Sequence, residues 1–309
     1  MPSISAWSYS LHRSLSFLSQ TRHLQGLCKS IETEADWSDP FLAFPKGFIT
    51  WTRWQAVSTG EFENNQYSLN SSEKSLLFKH RYRFKEIMIR QVIELNNEGV
   101  RSLNAGHHER AREIFKEALQ QITELIMGRA ELTQDIREIF PFDLRNAIER
   151  VPISSGSKPW REECGGTYVF SYALTLKKHC AQVNISAPDY CLRETIVIMF
   201  NLALVHHWRG INLQGSSFLP KALKLYEMAI SLVQRSHFPE SNMLLLGLLN
   251  NCGQIHHELA EYRLSTECFK NLKSLLVSGA ANSVDDKDMQ EGFLLNLLFL
   301  DAPENAAAA

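Results

Sequence analysis

The residues best suited to chemistry in this sequence are histidines that occur in adjacent pairs. The pairs are His107–His108, His206–His207 and His256–His257. The last pair begins a zinc-binding pattern, H-E-x-x-H, in which two histidines one helical turn apart bind the metal and the glutamate acts as general base. Glu261 stands where the second histidine is required. Because catalytic zinc normally needs three protein ligands, we predict no metal site here.

Other catalytic signatures are missing from the sequence. It contains no phosphate-binding loop, no dinucleotide fingerprint and no nucleophile elbow. His179 and Cys180 are adjacent in sequence, which says nothing about a Cys–His dyad in space. We therefore predict a protein without catalytic residues or cofactors. The alternative is an enzyme or metal-binding protein that uses His and Cys residues near the middle of the chain.

Composition narrows the classes of partner. The chain has 309 residues, of which 44% are hydrophobic, and a formal net charge of −2. A near-neutral charge makes nucleic acid an unlikely partner. An organellar RNA-binding helical array stays an alternative, because such repeats have a similar length. The basic cluster 79–85 could contact RNA or act as an import signal, but we expect a solvated helix face with Tyr82 or Phe84 turned inward.

Membrane insertion and disulfide bonding are not expected. The longest uncharged stretch, 241–257, contains three Asn, one Gln and two His, so we predict no membrane span. Six cysteines without a C-x-x-C spacing predict reduced thiols and a cytoplasmic protein. The alternative is a mitochondrial or other organellar location, because residues 1–31 contain eight Ser and no acidic residue.

Turn formers and hydrophobic periodicity divide the chain. Residues 1–71 read as an N-terminal extension, in which 33–71 is rich in aromatic residues. A helical domain follows over 72–300, with an insertion at about 129–188, and 301–309 forms a tail. Within the insertion we predict a short helix near 142–150 and a strand or hairpin at 167–176.

Three helix pairs share a pattern of small and aromatic residues. Each first helix has a small residue, at Gly99, Ala203 and Gly253, preceded two positions earlier by Asn97, Asn201 and Asn251. Each second helix opens with a small residue, at Ala111, Ala222 and Ser265, followed four positions later by Phe115, Tyr226 and Phe269. Small residues let two helices approach closely, and the aromatic ring fills the gap beside them.

The pattern resembles the tetratricopeptide repeat (TPR), whose signature is L-G-x-x-Y followed by A-x-x-x-F. The resemblance implies an all-α fold in which TPR-like antiparallel helix pairs stack in a right-handed array, with an irregular or β insertion between the first and second pairs. The spacing departs from the family: 104 residues separate Gly99 from Ala203 and 50 separate Ala203 from Gly253, against roughly 34. A half repeat around Asn296 can follow, since its sequence echoes that around Asn201.

A TPR-like array implies a concave groove that binds a protein or peptide, and hence a non-enzymatic scaffold or adaptor. The groove residues carried over from the resemblance are Asn96, Val100, Leu103, Asn201, Leu204, His207, Gly247, Asn251, Gln254 and His257. None is Lys or Arg, so we expect no clamp for acidic chaperone C-termini, because charge-assisted hydrogen bonds are the strong ones.

The resemblance to the TPR also implies two different environments for the histidines of the second and third pairs. His206 and His256 take the place of a core tyrosine, whereas His207 and His257 face the groove. If the two groove histidines lie close together, their protonation near pH ~6.5 should change partner binding between pH 5.5 and 7.5.

The last helix is apolar nearly all round, since residues 293–300 contain a single polar side chain. Something must cover Phe293, Leu297, Leu298 or Leu300. We expect the aromatic segment 41–54 to do so; a homodimer is the alternative, and the Ala-rich tail 306–309 buries too little area.

Overall fold

The structure is a computed structural model that describes residues 71–127, 148–153, 168–177, 191–213, 217–234, 241–278 and 287–298. The chain divides into two compact units, 1–85 and 86–309. The described part of the first unit is the beginning of one helix, and the candidate site described below lies in the second unit.

Most of the described residues are helical. The helices are α1 (Ser71–Asn104), α2 (His108–Met127), α3 (Leu192–Leu213), α4 (Phe218–Val233), α5 (Ser241–Glu258), α6 (Tyr262–Val277) and α7 (Lys287–Leu297). Two strands, β1 (Ile148–Pro152) and β2 (Tyr172–Leu176), lie between α2 and α3 along the chain. The prediction of a mostly helical protein is therefore confirmed.

Short turns join the helices of two pairs. Gly106 has φ +79° between α1 and α2, and Ala260 has φ +59° between α5 and α6. Glycine adopts this left-handed conformation at no steric cost, which explains the residue at position 106. Turns this short make the helices that they connect antiparallel neighbours.

The small residues face aromatic rings, as the sequence predicts. A Cβ atom added to Gly99 would lie 2.5 Å from the Phe115 ring, and one added to Gly253 would lie 2.5 Å from the Phe269 ring. In the second pair, Ala203 and Tyr226 are both fully buried. The glycines thus let each aromatic ring of the second helix lie directly on the backbone of the first.

Successive helices adjoin along the chain. Helix α3 contacts α2 and α4, α5 contacts α4 and α6, and α7 contacts α5 and α6. The TPR-like stacking and its right-handed sense stay predictions.

The strands form an antiparallel pair in which Ile148 lies opposite Leu176 and Pro152 opposite Tyr172. The strand predicted within 167–176 is present, as β2. The short helix predicted near 142–150 is wrong for 148–150, which belong to β1, because pairing with β2 overrides a weak local preference; residues 142–147 lie outside the described residues.

Several other predictions also fall outside the described residues: the targeting segment 1–31, the aromatic segment 41–54, most of the insertion and the tail 301–309. Phe84 is exposed rather than turned inward. In the part of the chain that the structure describes, no helix is both long and apolar enough to cross a membrane.

Candidate functional site

Residues 168–177, here called the extended segment, are held by a row of asparagine side chains. The row, here called the asparagine ladder, consists of Asn97 on α1, Asn201 on α3, Asn251 on α5 and Asn296 on α7. Each side-chain amide binds the main chain of one segment residue, accepting its N–H and donating to its C=O. The order of the helices is reversed along the segment, from Leu176 at α1 to Tyr168 at α7.

All four rungs have hydrogen-bond geometry. Oδ1 of Asn97 accepts from Leu176 N–H at 2.9 Å, and that of Asn201 accepts from Leu174 N–H at 2.9 Å. The matching Oδ1 distances are 2.8 Å for Asn251 to Phe170 and 2.8 Å for Asn296 to Tyr168. The return bonds from Nδ2 to the carbonyl oxygens of these residues measure 2.7, 2.8, 3.2 and 2.6 Å in the same order.

The ladder replaces a strand neighbour. A primary amide carries one acceptor and one donor group, which is what the edge of a strand presents at each alternate residue. Tyr168, Phe170, Leu174 and Leu176 turn their polar groups to the ladder. Ser171 instead turns its carbonyl to β1 and accepts from Ile153 N–H at 3.0 Å. The extended segment therefore has one edge on a real strand and the other on side chains.

Neighbouring asparagines brace the ladder. Asn96 Nδ2 donates to the Leu174 carbonyl at 2.9 Å, and its Oδ1 accepts from Asn201 at 2.9 Å. Asn250 does the same at the other end, donating to the Tyr168 carbonyl at 3.0 Å and accepting from Asn296 at 2.8 Å. Both bracing residues are fully buried. The rungs are thus linked in two pairs, Asn97 with Asn201 and Asn251 with Asn296, which fixes the orientation of the amides.

Two glycines make room for the aromatic side chains of the segment. A Cβ atom added to Gly247 on α5 would lie 2.9 Å from the Phe170 ring, and one added to Gly292 on α7 would lie 2.4 Å from the Tyr168 ring. The Phe170 ring also lies 5.8 Å from that of Phe200. The segment is therefore seated by its main chain and by its aromatic side chains together.

Phe293 on α7 packs against this segment, whereas cover of the last helix by residues 41–54 stays a prediction. Its ring lies 5.7 Å from Tyr168 and 5.8 Å from Phe170, and it is fully buried. The sequence does not suggest this contact, because Phe293 lies more than 120 positions from both Tyr168 and Phe170. Leu298 stays 66% exposed; Leu300 and the segment 41–54 lie outside the described residues.

A second polar network lies behind the ladder and connects three helices. The His207 ring on α3 bonds to Gln254 on α5 at 2.6 Å, and its other nitrogen lies 3.5 Å from the Tyr226 hydroxyl on α4. Asn251 Nδ2 donates to that hydroxyl at 3.1 Å. Burial lowers the pKa of His207 to about 4, against the opposing effect of the Gln254 bond.

The prediction that His207 titrates between pH 5.5 and 7.5 is therefore wrong. With a pKa of about 4 it is neutral across that range. The ring of His257 lies elsewhere, edge-on against Tyr262 at 5.5 Å between centroids, and is half-buried.

The other two histidines of these pairs are buried, as predicted. His206 is 7% exposed; burial first, then the nearby charges of Arg112 and Lys116, lower its pKa to about 3. His256 bonds through Nδ1 to the Glu261 carboxylate at 2.6 Å. The glutamate that interrupts the zinc pattern thus has a structural role. Among the described residues, no group of three or more His, Cys, Asp or Glu side chains is placed to hold a metal ion.

The described cysteines are poor nucleophiles. Burial raises the pKa of Cys252 well above its ordinary value and that of Cys268 to about 11. Thiol chemistry requires the thiolate, so neither side chain is activated at neutral pH. Cys191 is also buried.

The residues predicted for a binding groove are placed as follows. Asn96, Asn201 and Asn251 bind the extended segment, Gly247 faces its Phe170 ring, His207 and Gln254 lie behind the ladder, and Val100, Leu103 and Leu204 are buried. Asn97 and Asn296 were visible as repeated asparagines but not predicted as binding residues; Asn250 and Gly292 gave no signal. The recurrence of asparagine at one repeat position was the signal that could have found the whole ladder.

No protein-family model matches the chain, and a search of curated proteins also gives no match.

Proposed function

We propose that this protein is a non-enzymatic interaction module, a scaffold or adaptor, that binds a protein partner through an extended peptide segment. The binding surface is the ladder face, the side of α1, α3, α5 and α7 that carries the asparagine ladder. The observation that supports this proposal is the ladder itself, in which four helices each bind both polar groups of one main-chain residue. A TPR-like, right-handed stacking of the helix pairs is part of the proposal.

The chemistry of the ladder face supports a peptide rather than a substrate. Amides are neutral and not nucleophilic, and they are suited to hold a main chain in place. His207, which lies behind the ladder, is not poised as a general base at neutral pH, since burial lowers its pKa to about 4. We include a cytoplasmic location in the proposal, with an organelle as the alternative because of residues 1–31.

Acidic chaperone C-termini are poor candidates for the partner. The ladder residues are amides, and a terminal carboxylate held without a cation lacks the charge-assisted bonds that give affinity. We expect no measurable heat when an acidic C-terminal peptide is titrated into the protein by calorimetry. Binding in the micromolar range would contradict this part of the proposal.

The proposed function is tested by capture followed by reconstitution. The full chain and its Asn201→Ala/Asn251→Ala variant serve as baits in native extract, and each captured protein is then purified and measured against both by calorimetry. We expect a partner that binds the wild type and loses at least tenfold in affinity for the variant. The matched control is Asn271→Ala, since Asn271 is an exposed asparagine on α6. The proposal would be contradicted if none of the captured proteins, once purified, binds the full chain.

A further inference from the structure

We propose that the extended segment is a built-in ligand of the ladder face, and that the face accepts in its place an extended, uncharged segment of another protein with aromatic or aliphatic side chains at alternate positions. This inference rests on the proposed function and adds the chemistry of the partner and the means by which the site is kept closed.

The polar contacts do not depend on the sequence of the occupant. Every rung of the ladder binds the N–H and C=O of one residue, groups that any residue except proline provides. The rungs at Leu176, Leu174, Phe170 and Tyr168 therefore recognise an extended main chain, as strand addition does at a sheet edge. A different peptide of the same conformation would make the same bonds.

The side-chain pattern of the occupant is set by the surroundings of the even-numbered residues. These residues are Tyr168, Phe170, Tyr172, Leu174 and Leu176, and the smaller residues Val169, Ser171, Ala173 and Thr175 stand between them. Phe170, Leu174 and Leu176 are almost fully buried, as are Val169 and Ala173. Gly247 and Gly292 leave room for rings at two of the even-numbered positions. The face thus accepts large aromatic or aliphatic side chains at alternate positions, with smaller residues between them.

Charge is excluded from the same positions. Residues 168–176 contain no Asp, Glu, Lys or Arg, and the ladder and its bracing asparagines are neutral. A charged side chain in the place of Phe170 would be buried without an ionic partner among the residues that contact this ring, which is strongly unfavourable. The partner segment is therefore uncharged over about nine residues.

The segment can leave without breaking a helix. Its main chain bonds to asparagine side chains on one edge and to β1 on the other, and a two-stranded hairpin has little stability by itself. The contacts that close the helix pairs, Gly99 with Phe115 and Gly253 with Phe269, do not include it. Release therefore opens the ladder face while the helix pairs keep their own contacts.

A tether explains why the wild-type protein is closed. A segment that belongs to the same chain has an effective concentration in the millimolar range, so a separate peptide at micromolar concentration competes poorly. A foreign segment is favoured over a second copy because the segment is internal. Its exchange between two copies would require connections on both of its sides to cross from one copy to the other, unlike the exchange of a terminal arm.

The first test is hydrogen exchange of the full wild-type chain. We expect the amides of Phe170 and Leu174, although bonded to the ladder, to exchange by a local opening at least tenfold faster than those of Ala203 and Cys252 in α3 and α5. The inference fails if all four exchange at one rate set by global unfolding, because the segment would then be a permanent strand.

The second test uses a fluorescent peptide of residues 166–178. Tyr168→Ala/Phe170→Ala in the full chain weakens the built-in ligand, and we expect this variant to bind the peptide at least tenfold more tightly than the wild type does. Adding Asn251→Ala should reverse the gain, and a peptide carrying Phe170→Asp should bind at least tenfold more weakly. No gain in a variant with wild-type helical circular dichroism would overturn the inference. If the variant does not fold, the hydrogen-exchange result decides.

Three further outcomes identify which claim fails. A concentration-dependent dimer of the wild type that Asn251→Ala abolishes would identify a second copy as occupant and overturn the inference. If the segment opens only on global unfolding while a purified partner still binds, the inference fails and the interaction role stands. If the segment opens and the peptide binds but no partner is recovered, the proposed function fails.

Discussion

Glycines face aromatic rings in two kinds of contact, one between the two helices of a pair and the other between a helix and the extended segment. In the helix seam, Gly99 meets Phe115 and Gly253 meets Phe269 between the two helices of a pair. In the segment seam, Gly247 meets Phe170, and Gly292 meets Tyr168, between a helix and the extended segment. The helix seam joins residues 16 positions apart, whereas the rung from Asn251 joins residues 81 positions apart.

The two seams differ in the interactions that stabilise the contact between glycine and ring. The helix seam fits a ring against a bare backbone, so its stability rests on close packing. The segment seam adds buried amides that satisfy main-chain groups, so its stability rests on completed hydrogen bonds. The same fit of glycine to ring thus serves a permanent contact in one place and, as we propose, an exchangeable one in the other.

The largest expected effect comes from removing one rung. Asn251→Ala leaves the N–H and C=O of Phe170 without their partner in a buried site. Since each unsatisfied buried group costs about 1–3 kcal/mol, we expect the free energy of unfolding to fall by about 2–5 kcal/mol in urea titrations. Asn271→Ala, at an exposed site, should change it by less than ~0.5 kcal/mol. Equal effects at the two positions would mean that the ladder adds no stability.

The next effect is a dependence of stability on pH that originates behind the ladder. His207 has a folded pKa of about 4, against an ordinary value of 6.5. Between these values the unfolded chain binds the proton and the folded protein does not, so its contribution to stability is present above pH 6.5 and is lost as the pH falls toward 4. The loss is about 3 kcal/mol, at ~1.4 kcal/mol per pKa unit.

This dependence is measured by urea unfolding at several pH values. His207→Gln should remove the His207 contribution to the fall in unfolding free energy between pH 6.5 and 4. The control is His107→Gln, at an exposed residue between α1 and α2, which should leave the profile unchanged. His206 adds to the total fall in both variants, because its pKa is also lowered, to about 3. Superimposable profiles for wild type and His207→Gln would refute the prediction.

A smaller effect is expected in the helix seam. In Gly253→Ala the new methyl group would overlap the Phe269 ring, which costs about 1–3 kcal/mol. The gain in helix propensity returns about 0.5–1 kcal/mol, so we expect a net loss of about 1–2 kcal/mol in the thermal or urea unfolding free energy. In a Phe269→Leu background the overlap is relieved, and the cost of Gly253→Ala should vanish. An undiminished cost there would show that ring overlap is not the cause.

The smallest effect is the same change in the segment seam. Gly247→Ala would place a methyl group 2.9 Å from the Phe170 ring. That ring belongs to a segment that is not part of a helix, so it can shift and reduce the cost of the overlap. The remaining cost and the gain in helix propensity nearly cancel, and we expect the free energy of unfolding to change by less than ~1 kcal/mol. Hydrogen exchange at the Phe170 amide should nonetheless accelerate. A loss of stability as large as that of Gly253→Ala would show that the two seams are equally rigid.

The sequence predicts the helices and the helix seam well. Small residues and aromatic rings at fixed spacing carry that information locally, as Gly99 and Phe115 show, because both members of each contact lie within one helix pair. The recurring asparagines are equally visible, and three of the predicted groove residues, Asn96, Asn201 and Asn251, do contact a peptide segment.

The sequence does not predict that the segment bound by the asparagine ladder belongs to the same chain. The ladder binds main-chain atoms, which are the same in every residue, so the asparagines alone do not indicate which part of the chain they hold. The burial of His207 could not be predicted either. Its pKa depends on the Gln254 and Tyr226 side chains from two other helices, which only the folded arrangement brings together.

The asparagine ladder also affects the tendency of the extended segment to aggregate, because it covers one edge of that segment. Tyr168–Leu176 is an uncharged stretch rich in aromatic and β-branched or aliphatic residues, without proline or glycine, which is the composition that forms cross-β stacks. In the closed protein one of its edges lies on β1 and the other is covered by amides that cannot extend into a further strand. The asparagines thus protect an aggregation-prone sequence, and a partner that takes the place of the extended segment on the ladder face leaves that sequence uncovered.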